Sequence, residues 1–240
     1  MKQKKEIDFE NAIIEDGVAF DEEELLNIKS LHKYIVAFYI EAENEDSWCG
    51  SGVIVGNYLI TVAHVMIDKR SKSFFSKLYY KYEKSFYMVT NNDIVYDGRD
   101  GLNDDTDNIH HDLLVFKLPD NSKSFVLNAD DFEVPVEVFA KSDGGYKYGY
   151  SFIKCKIIRK EGVHYKDYNP LNGELTKWEN CLLTTGCFSE GNSGTPIYLQ
   201  NTVYGLLIGN TCLPDLPDKV FYNFIDARYI GKIIAETANT

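Results

Sequence analysis

Apolar residues fall along this chain in short runs rich in β-branched and aromatic side chains, separated by polar turns. That pattern predicts strands. In the first half they are Ile35–Ile40, Gly52–Val55, Leu59–Val62, Ser85–Val89 and Leu113–Leu118. In the second half they are Val134–Phe139, Ser151–Ile158, Asn180–Thr184, Thr195–Tyr198, Tyr204–Ile208 and Val220–Ile225. Helical spacing is confined to the tail, from Asp226 to about Thr237, where Tyr229, Ile230, Ile233 and Ile234 make one apolar face. Asp21-Glu22-Glu23-Glu24 stands ahead of Leu25, Leu26 and Ile28, which fits either a short capped helix or a charged arm. Segments 68–84, 97–111 and 159–178 read as long polar loops. The chain is therefore expected to be all-β, built as barrels or sandwiches with a C-terminal helix. A natural seam lies near Pro119–Ser124. It divides the chain into an extension over 1–30, a first unit over 31–122 and a second over 123–240.

Composition narrows the function classes. The 240 residues carry 25 Lys and Arg against 37 Asp and Glu, a net charge of −12, so nucleic acid is not an expected partner. The longest apolar run, Tyr34–Ile40, has seven residues. A membrane-spanning helix needs ~18 or more, so no membrane partner is expected. Cys49, Cys155, Cys181, Cys187 and Cys212 are odd in number and have no zinc-ligand spacing, and no apolar signal follows the basic Met1–Glu6 start. These features lead to the expectation of a reducing, cytoplasmic compartment and of no metal site.

Three local patterns carry chemistry. Ile60-Thr61-Val62-Ala63-His64 puts an imidazole at the end of an apolar strand, and His111-Asp112-Leu113-Leu114 puts a carboxylate at the start of another. Gly191-Asn192-Ser193-Gly194-Thr195-Pro196 puts a serine on a tight turn. Its glycines allow close backbone approach, so that the N–H groups of Gly191 and Ser193 can share one oxyanion. Taken singly, each has a plain structural explanation: a core histidine, a turn aspartate, a Gly/Ser turn. Together they place His64, Asp112 and Ser193 in the chain order of a known acyl-transfer triad. A serine hydroxyl is a weak nucleophile. It needs a neutral imidazole to take its proton, and that imidazole needs a buried carboxylate to fix its tautomer. Asp104, Asp105 and Asp107 are alternative acids, but none heads an apolar strand, and they read as a solvated acidic loop. His110, His111 and His164 read as surface residues, and Trp48 and Trp178 as packing.

On these motifs, residues 34–235 resemble the chymotrypsin-like serine peptidases, with a bacterial cast like the glutamyl endopeptidases and Deg-type enzymes, where Gly-Asn-Ser-Gly is usual. The resemblance implies two six-stranded antiparallel β-barrels with the site between them, a polypeptide substrate and no cofactor. It also implies that Ile208-Gly209-Asn210 offers its edge to the substrate. By the same resemblance Cys187 lies at the base of the specificity pocket and Leu207 on its wall, with Gly209 and Asn210 at the rim, which predicts a neutral residue before the scissile bond. Two departures stand out. Asn192 replaces the aspartate that captures a new N-terminus in digestive relatives, and Val65 replaces the half-cystine that would pair with Cys49. The acidic extension and long loops suggest control, with a regulatory protein as a partner. A non-catalytic protein-binding module on the same fold is the alternative from another class, and an esterase differs only in the leaving group.

Overall fold

Short apolar runs cannot each form a core, so they must pair into sheets that pack on one another. The computed structural model of the protein describes residues 20–44, 47–68, 73–99, 112–119, 124–143, 150–165, 175–189, 191–213 and 215–238. After a helix, α1 (Glu22–Leu31), come β1 (Ile35–Tyr39), β2 (Trp48–Val55), β3 (Tyr58–Thr61), β4 (Lys77–Tyr82), β5 (Ser85–Thr90), β6 (Ile94–Asp97) and β7 (Leu114–Lys117). Then follow β8 (Val126–Leu127), β9 (Val136–Asp143), β10 (Tyr150–Arg159), β11 (Gly162–Tyr165), β12 (Leu175–Trp178) and β13 (Cys181–Thr184). The chain ends with β14 (Pro196–Leu199), β15 (Thr202–Leu213), β16 (Leu216–Asp226) and α2 (Ala227–Thr237).

The first seven strands form one antiparallel sheet in the order β5-β4-β1-β2-β3-β7-β6. In the second sheet β14, β9, β10, β13, β16 and β15 follow one another, and β14 pairs back onto β15, which closes a six-stranded barrel. The short strand β8 joins β15 in parallel, and β11 and β12 form a separate hairpin. The expected all-β architecture is thus present, with one closed barrel and one open half-barrel. Among the described residues the first sheet keeps two free ends, β5 and β6. Phe38, Leu59, Ile60, Val115 and Phe116 belong to the core cluster built on the first sheet, while Val138, Ile157, Leu182, Ile197 and Phe224 belong to a separate cluster in the second. The terminal helix starts one residue later than its pattern suggests, because Asp226 serves as its N-cap and accepts from the Arg228 N–H at 2.8 Å.

Three segments correct the sequence reading. The stretch over 68–84 contains β4, in which Leu78 and Tyr80 are buried between the lysines at 77 and 81. The stretch over 159–178 contains the β11–β12 hairpin. The choice left open at the N-terminus resolves to a helix: Asp21 accepts from the Glu24 N–H at 2.9 Å and Glu24 accepts from the Asp21 N–H at 2.8 Å, a reciprocal capping box. This helix is strapped to the barrel. Glu24 pairs with Lys154 of β10 at 2.8 Å, Phe20 packs edge-on against Phe139 of β9, and Ile28 and Leu31 enter the core.

Tyr198 of β14 lies between Phe125 and Phe139, with its hydroxyl fully buried and without a partner among the described residues. Burial pushes that phenol far above its ordinary pKa. An unmet buried hydroxyl costs roughly 1–3 kcal/mol, so Tyr198→Phe should raise stability by about 1 kcal/mol in urea unfolding. That gain corresponds to a rise in Tm of about 2–4 °C. A loss of stability would mean that the hydroxyl is satisfied.

Candidate active site

Sheet register brings the first two groups together. In the β3–β7 ladder Thr61 stands opposite Leu114, so the residues just past the end of β3 meet those just before β7. A single 3₁₀ turn, Ala63–Met66, then turns His64 toward Asp112. Asp112 is 1% exposed, and both of its oxygens serve one residue. Oδ2 lies 2.6 Å from His64 Nδ1, and Oδ1 accepts the His64 backbone N–H at 2.8 Å. A carboxylate can only accept, so Nδ1 carries the proton, and in the neutral ring the basic nitrogen is Nε2. Charge-assisted bonds at both oxygens fix the ring's position and tautomer together.

The serine turn is stitched to both sheets. The Ser193 carbonyl accepts the N–H of Ser51 in β2 at 2.8 Å, and the Gly194 N–H donates to the carbonyl of Leu207 in β15 at 2.8 Å. Ser51 is held in turn, because Thr61 Oγ1 donates to its carbonyl at 2.6 Å. So close an approach requires glycine. Gly194 has φ +83°, and a Cβ there would lie 2.0 Å from the Ser51 oxygen. Gly191 has φ +92°, and the ring of Trp48 lies where its Cβ would be. Trp48, read from sequence as packing, thus forms the floor under this glycine, with its indole N–H donated to the Gly50 carbonyl at 2.8 Å. The backbone N–H groups of Gly191 and Ser193 make no hydrogen bond among the described residues, which leaves two neighbouring donors for a ligand oxygen. The Ser193 hydroxyl makes none either, so the structure joins His64 to Asp112 but does not close a bond from Ser193 to His64. Such contacts often tighten only when substrate binds.

Asn192 is fully buried and donates from Nδ2 to the carbonyl and hydroxyl oxygens of Ser189 at 3.1 and 2.9 Å. The turn is thereby braced by neutral hydrogen bonds. Cys187 is exposed, and the next residue, Phe188, packs instead against Tyr222 and Phe224 at 4.9 and 5.6 Å between ring centroids. Leu207 is buried in the same cluster. Ile208 is buried where the β15–β16 register shifts, Gly209 faces open space, and Asn210 is exposed. Pairing with β14 stops at Leu206, so the outer edge of 208–210 has no strand partner among the described residues. His164 lies in β11. Asp104, Asp105, Asp107, His110 and His111 lie outside the described residues. Among the described residues no group of three His, Cys, Asp or Glu side chains could hold a metal ion.

No family model matches the chain, and no curated protein does. Solved structures do match. Mouse neuropsin, a serine protease, superposes with a TM-score of 0.60 at 14% identity over 86% of this chain and 94% of that one. The active form of the Rv3671c protease from M. tuberculosis gives 0.56 at 14% identity over 93% and 88%. A serine endoprotease from Yersinia pestis gives 0.58 at 17% identity over 92% and 67%. The chain has the chymotrypsin-like fold. At these identities the likeness is one of fold, and the site must be argued from its own residues.

The thiols around the site differ in reactivity. Burial pushes the Cys49 thiol up to about 12. Burial, with Asp226 and Asp112 nearby, pushes the Cys181 thiol up as well. Brief iodoacetamide treatment at pH 8 should therefore alkylate the exposed Cys187 first and spare Cys49 and Cys181 until the protein unfolds. Peptide mapping by mass spectrometry reads this directly. Early alkylation of Cys181 would contradict the packing behind Asp112.

Proposed function

We propose that the protein is a serine endopeptidase that cleaves polypeptides through an acyl-enzyme. The observation that carries the reading is the double clamp of Asp112 on His64. In the proposed reaction Ser193 Oγ attacks the scissile carbonyl while His64 Nε2 takes its proton, and Asp112 stabilises the imidazolium that forms. The carbonyl oxygen becomes an oxyanion between the Gly191 and Ser193 N–H groups. Collapse breaks the C–N bond as His64 gives its proton to the leaving amine. Water, deprotonated by His64, then releases the acid product and restores Ser193. An extended substrate would pair with the open edge at Ile208-Gly209-Asn210.

The neutral bracing of Asn192 supports kinship with the bacterial glutamyl-endopeptidase and Deg-like branch, and an activation that needs no new N-terminus. For the residue before the scissile bond we infer a neutral side chain. Two charged residues stand near the pocket by motif position, Glu190 and Lys219; Lys219 lies over the Phe221 ring at 5.7 Å, and Glu190 lies outside the described residues. An unpaired charge in an apolar pocket is costly. The free thiols support a reducing, cytoplasmic setting. The second reading, a non-catalytic binding module, is favoured by one observation, the unbonded Ser193 hydroxyl.

A fluorophosphonate probe separates the two, because only an activated serine reacts. Labelling at Ser193 of protein starting at Met1 is the expected result. Ser193→Ala should abolish labelling, and His64→Ala should lower turnover by about 10³-fold or more. Asp112→Asn should lower it by about 10⁴-fold. The double change of Ser193 and His64 should cost little more than either alone. Undiminished turnover in Asp112→Asn would remove Asp112 from its role, and absence of labelling in the intact protein would favour the binding module.

A further inference from the structure

Hydrogen bonds hold most of the serine turn. Asn192 bonds Ser189 through its backbone N–H at 3.2 Å and through its side chain, and its carbonyl accepts the Thr195 N–H at 2.8 Å. Ser193 is bonded to Ser51, and Gly194 to Leu207. Gly191 differs, because neither its N–H nor its carbonyl makes a hydrogen bond among the described residues. Yet its N–H is one of the two donors of the oxyanion site, and a donor serves there only if it is already aimed when charge develops. At φ +92° a glycine has no side chain to oppose rotation. The restraint must come from outside the residue.

Trp48 supplies it. The far edge of its six-membered ring, Cη2 and Cζ3, would lie 2.3 Å from a Cβ at Gly191, so the indole fills the space a side chain would take. Gly191 cannot shift toward β2 without meeting that ring. The ring is itself fixed, since its N–H donates to the Gly50 carbonyl at 2.8 Å. Gly50 is closely packed in turn: a Cβ there would lie 2.3 Å from Val65 Cγ1 and 3.2 Å from the Ser193 carbonyl oxygen. Local pairing explains how the indole reaches the turn. Gly50 stands opposite Phe38 but Trp48 opposite Tyr39, so Cys49 is an extra residue in the ladder. A bulge of this kind re-aims a side chain, and here it takes Trp48 out of the alternation that the rest of β2 follows.

We propose that Trp48 is the positioning residue of the oxyanion site: its ring holds Gly191 so that the N–H faces the reacting carbonyl oxygen. The proposal rests on the peptidase reading of Ser193. In this role the indole acts on the transition state, because the Gly191 donor counts most once the oxyanion forms. A half-buried tryptophan beside the serine has one other use, as a platform for a substrate side chain, and that would act on substrate binding instead.

Trp48→Ala and Trp48→Phe in the full chain, assayed on an extended peptide, separate the two roles. Trp48→Ala should lower kcat by about 10- to 100-fold, with KM unchanged within about twofold. Trp48→Phe, which keeps a ring but not its full reach, should recover part of the loss. Affinity for a peptide trifluoromethyl ketone, which takes up Ser193 Oγ to form an oxyanion, should fall with kcat. Binding of the uncut peptide to a chain carrying Ser193→Ala should not change when Trp48→Ala is added. A rise in KM with kcat kept, or an unchanged kcat in Trp48→Ala, would overturn the proposal. Backbone nitrogen NMR relaxation, in protein isotopically labelled at glycine, gives a readout that does not depend on turnover. The Gly191 order parameter should fall from about 0.85 in the parent to below about 0.6 in Trp48→Ala, with Gly205 of β15 unchanged. If the parent neither labels with a fluorophosphonate nor cuts peptides, the peptidase reading falls, and this measurement alone decides whether Trp48 holds Gly191. An equally rigid Gly191 in Trp48→Ala would overturn that hold.

Discussion

One hydrogen bond ties the serine turn to the sheet that carries the other two groups: the Ser51 N–H donates to the Ser193 carbonyl. His64 and Asp112 come from the first sheet and Ser193 from the second, so their relation depends on how the two are joined at this point. The join is reinforced on both sides. Thr61, three residues before His64, holds the Ser51 carbonyl, while Gly194 and Thr195 bond the backbone of Leu207 in the barrel. A displacement of β2 against β15 would therefore move Ser193 relative to His64. The positive φ at Gly191 and Gly194 is the conformational requirement of that crossing.

The electrostatics behind the site follow from the same join. Asp112 is a buried carboxylate whose partners are the imidazole and backbone of His64, and a buried charge with so few partners needs good geometry at each. The surrounding groups stay neutral. Cys181 is held as a thiol, and Tyr229 is pushed up to about 12, mainly by burial. The next carboxylate, Asp226, is bound by Arg228, which also reaches Asp131. Asp226 is thus engaged within its own helix cap.

What could be read from the sequence, and what could not, divides by the range of the interactions. The all-β class and the residues of His64, Asp112 and Ser193 are legible because short β-branched runs and turn glycines act over a few positions. Strand β4 is hidden because its lysines and tyrosines look polar in a window, and Leu78 and Tyr80 become buried only once β1 and β5 flank the strand. The docking of α1 depends on Lys154 and Phe139, more than a hundred residues away. No local pattern contains those partners. At the specificity wall, spacing from the serine selects Cys187. Which of Cys187 and Phe188 turns inward is set by packing on Tyr222 and Phe224, which counting cannot see.

Among the described residues, the open edges at 208–210 and at β5 differ in character. The edge at 208–210 is short, interrupted by a register shift, and set beside the serine turn, so few backbone groups can engage there and position matters more than strength. The edge of β5 is regular over its whole length. Closure of the barrel by β14 on β15 leaves the second sheet no comparable run. The first sheet, open between β5 and β6, is where an edge long enough to hold a partner strand can exist. Two sheets of similar strand number therefore differ in what they can bind for a topological reason: one has spent its edges on closure, and the other has not.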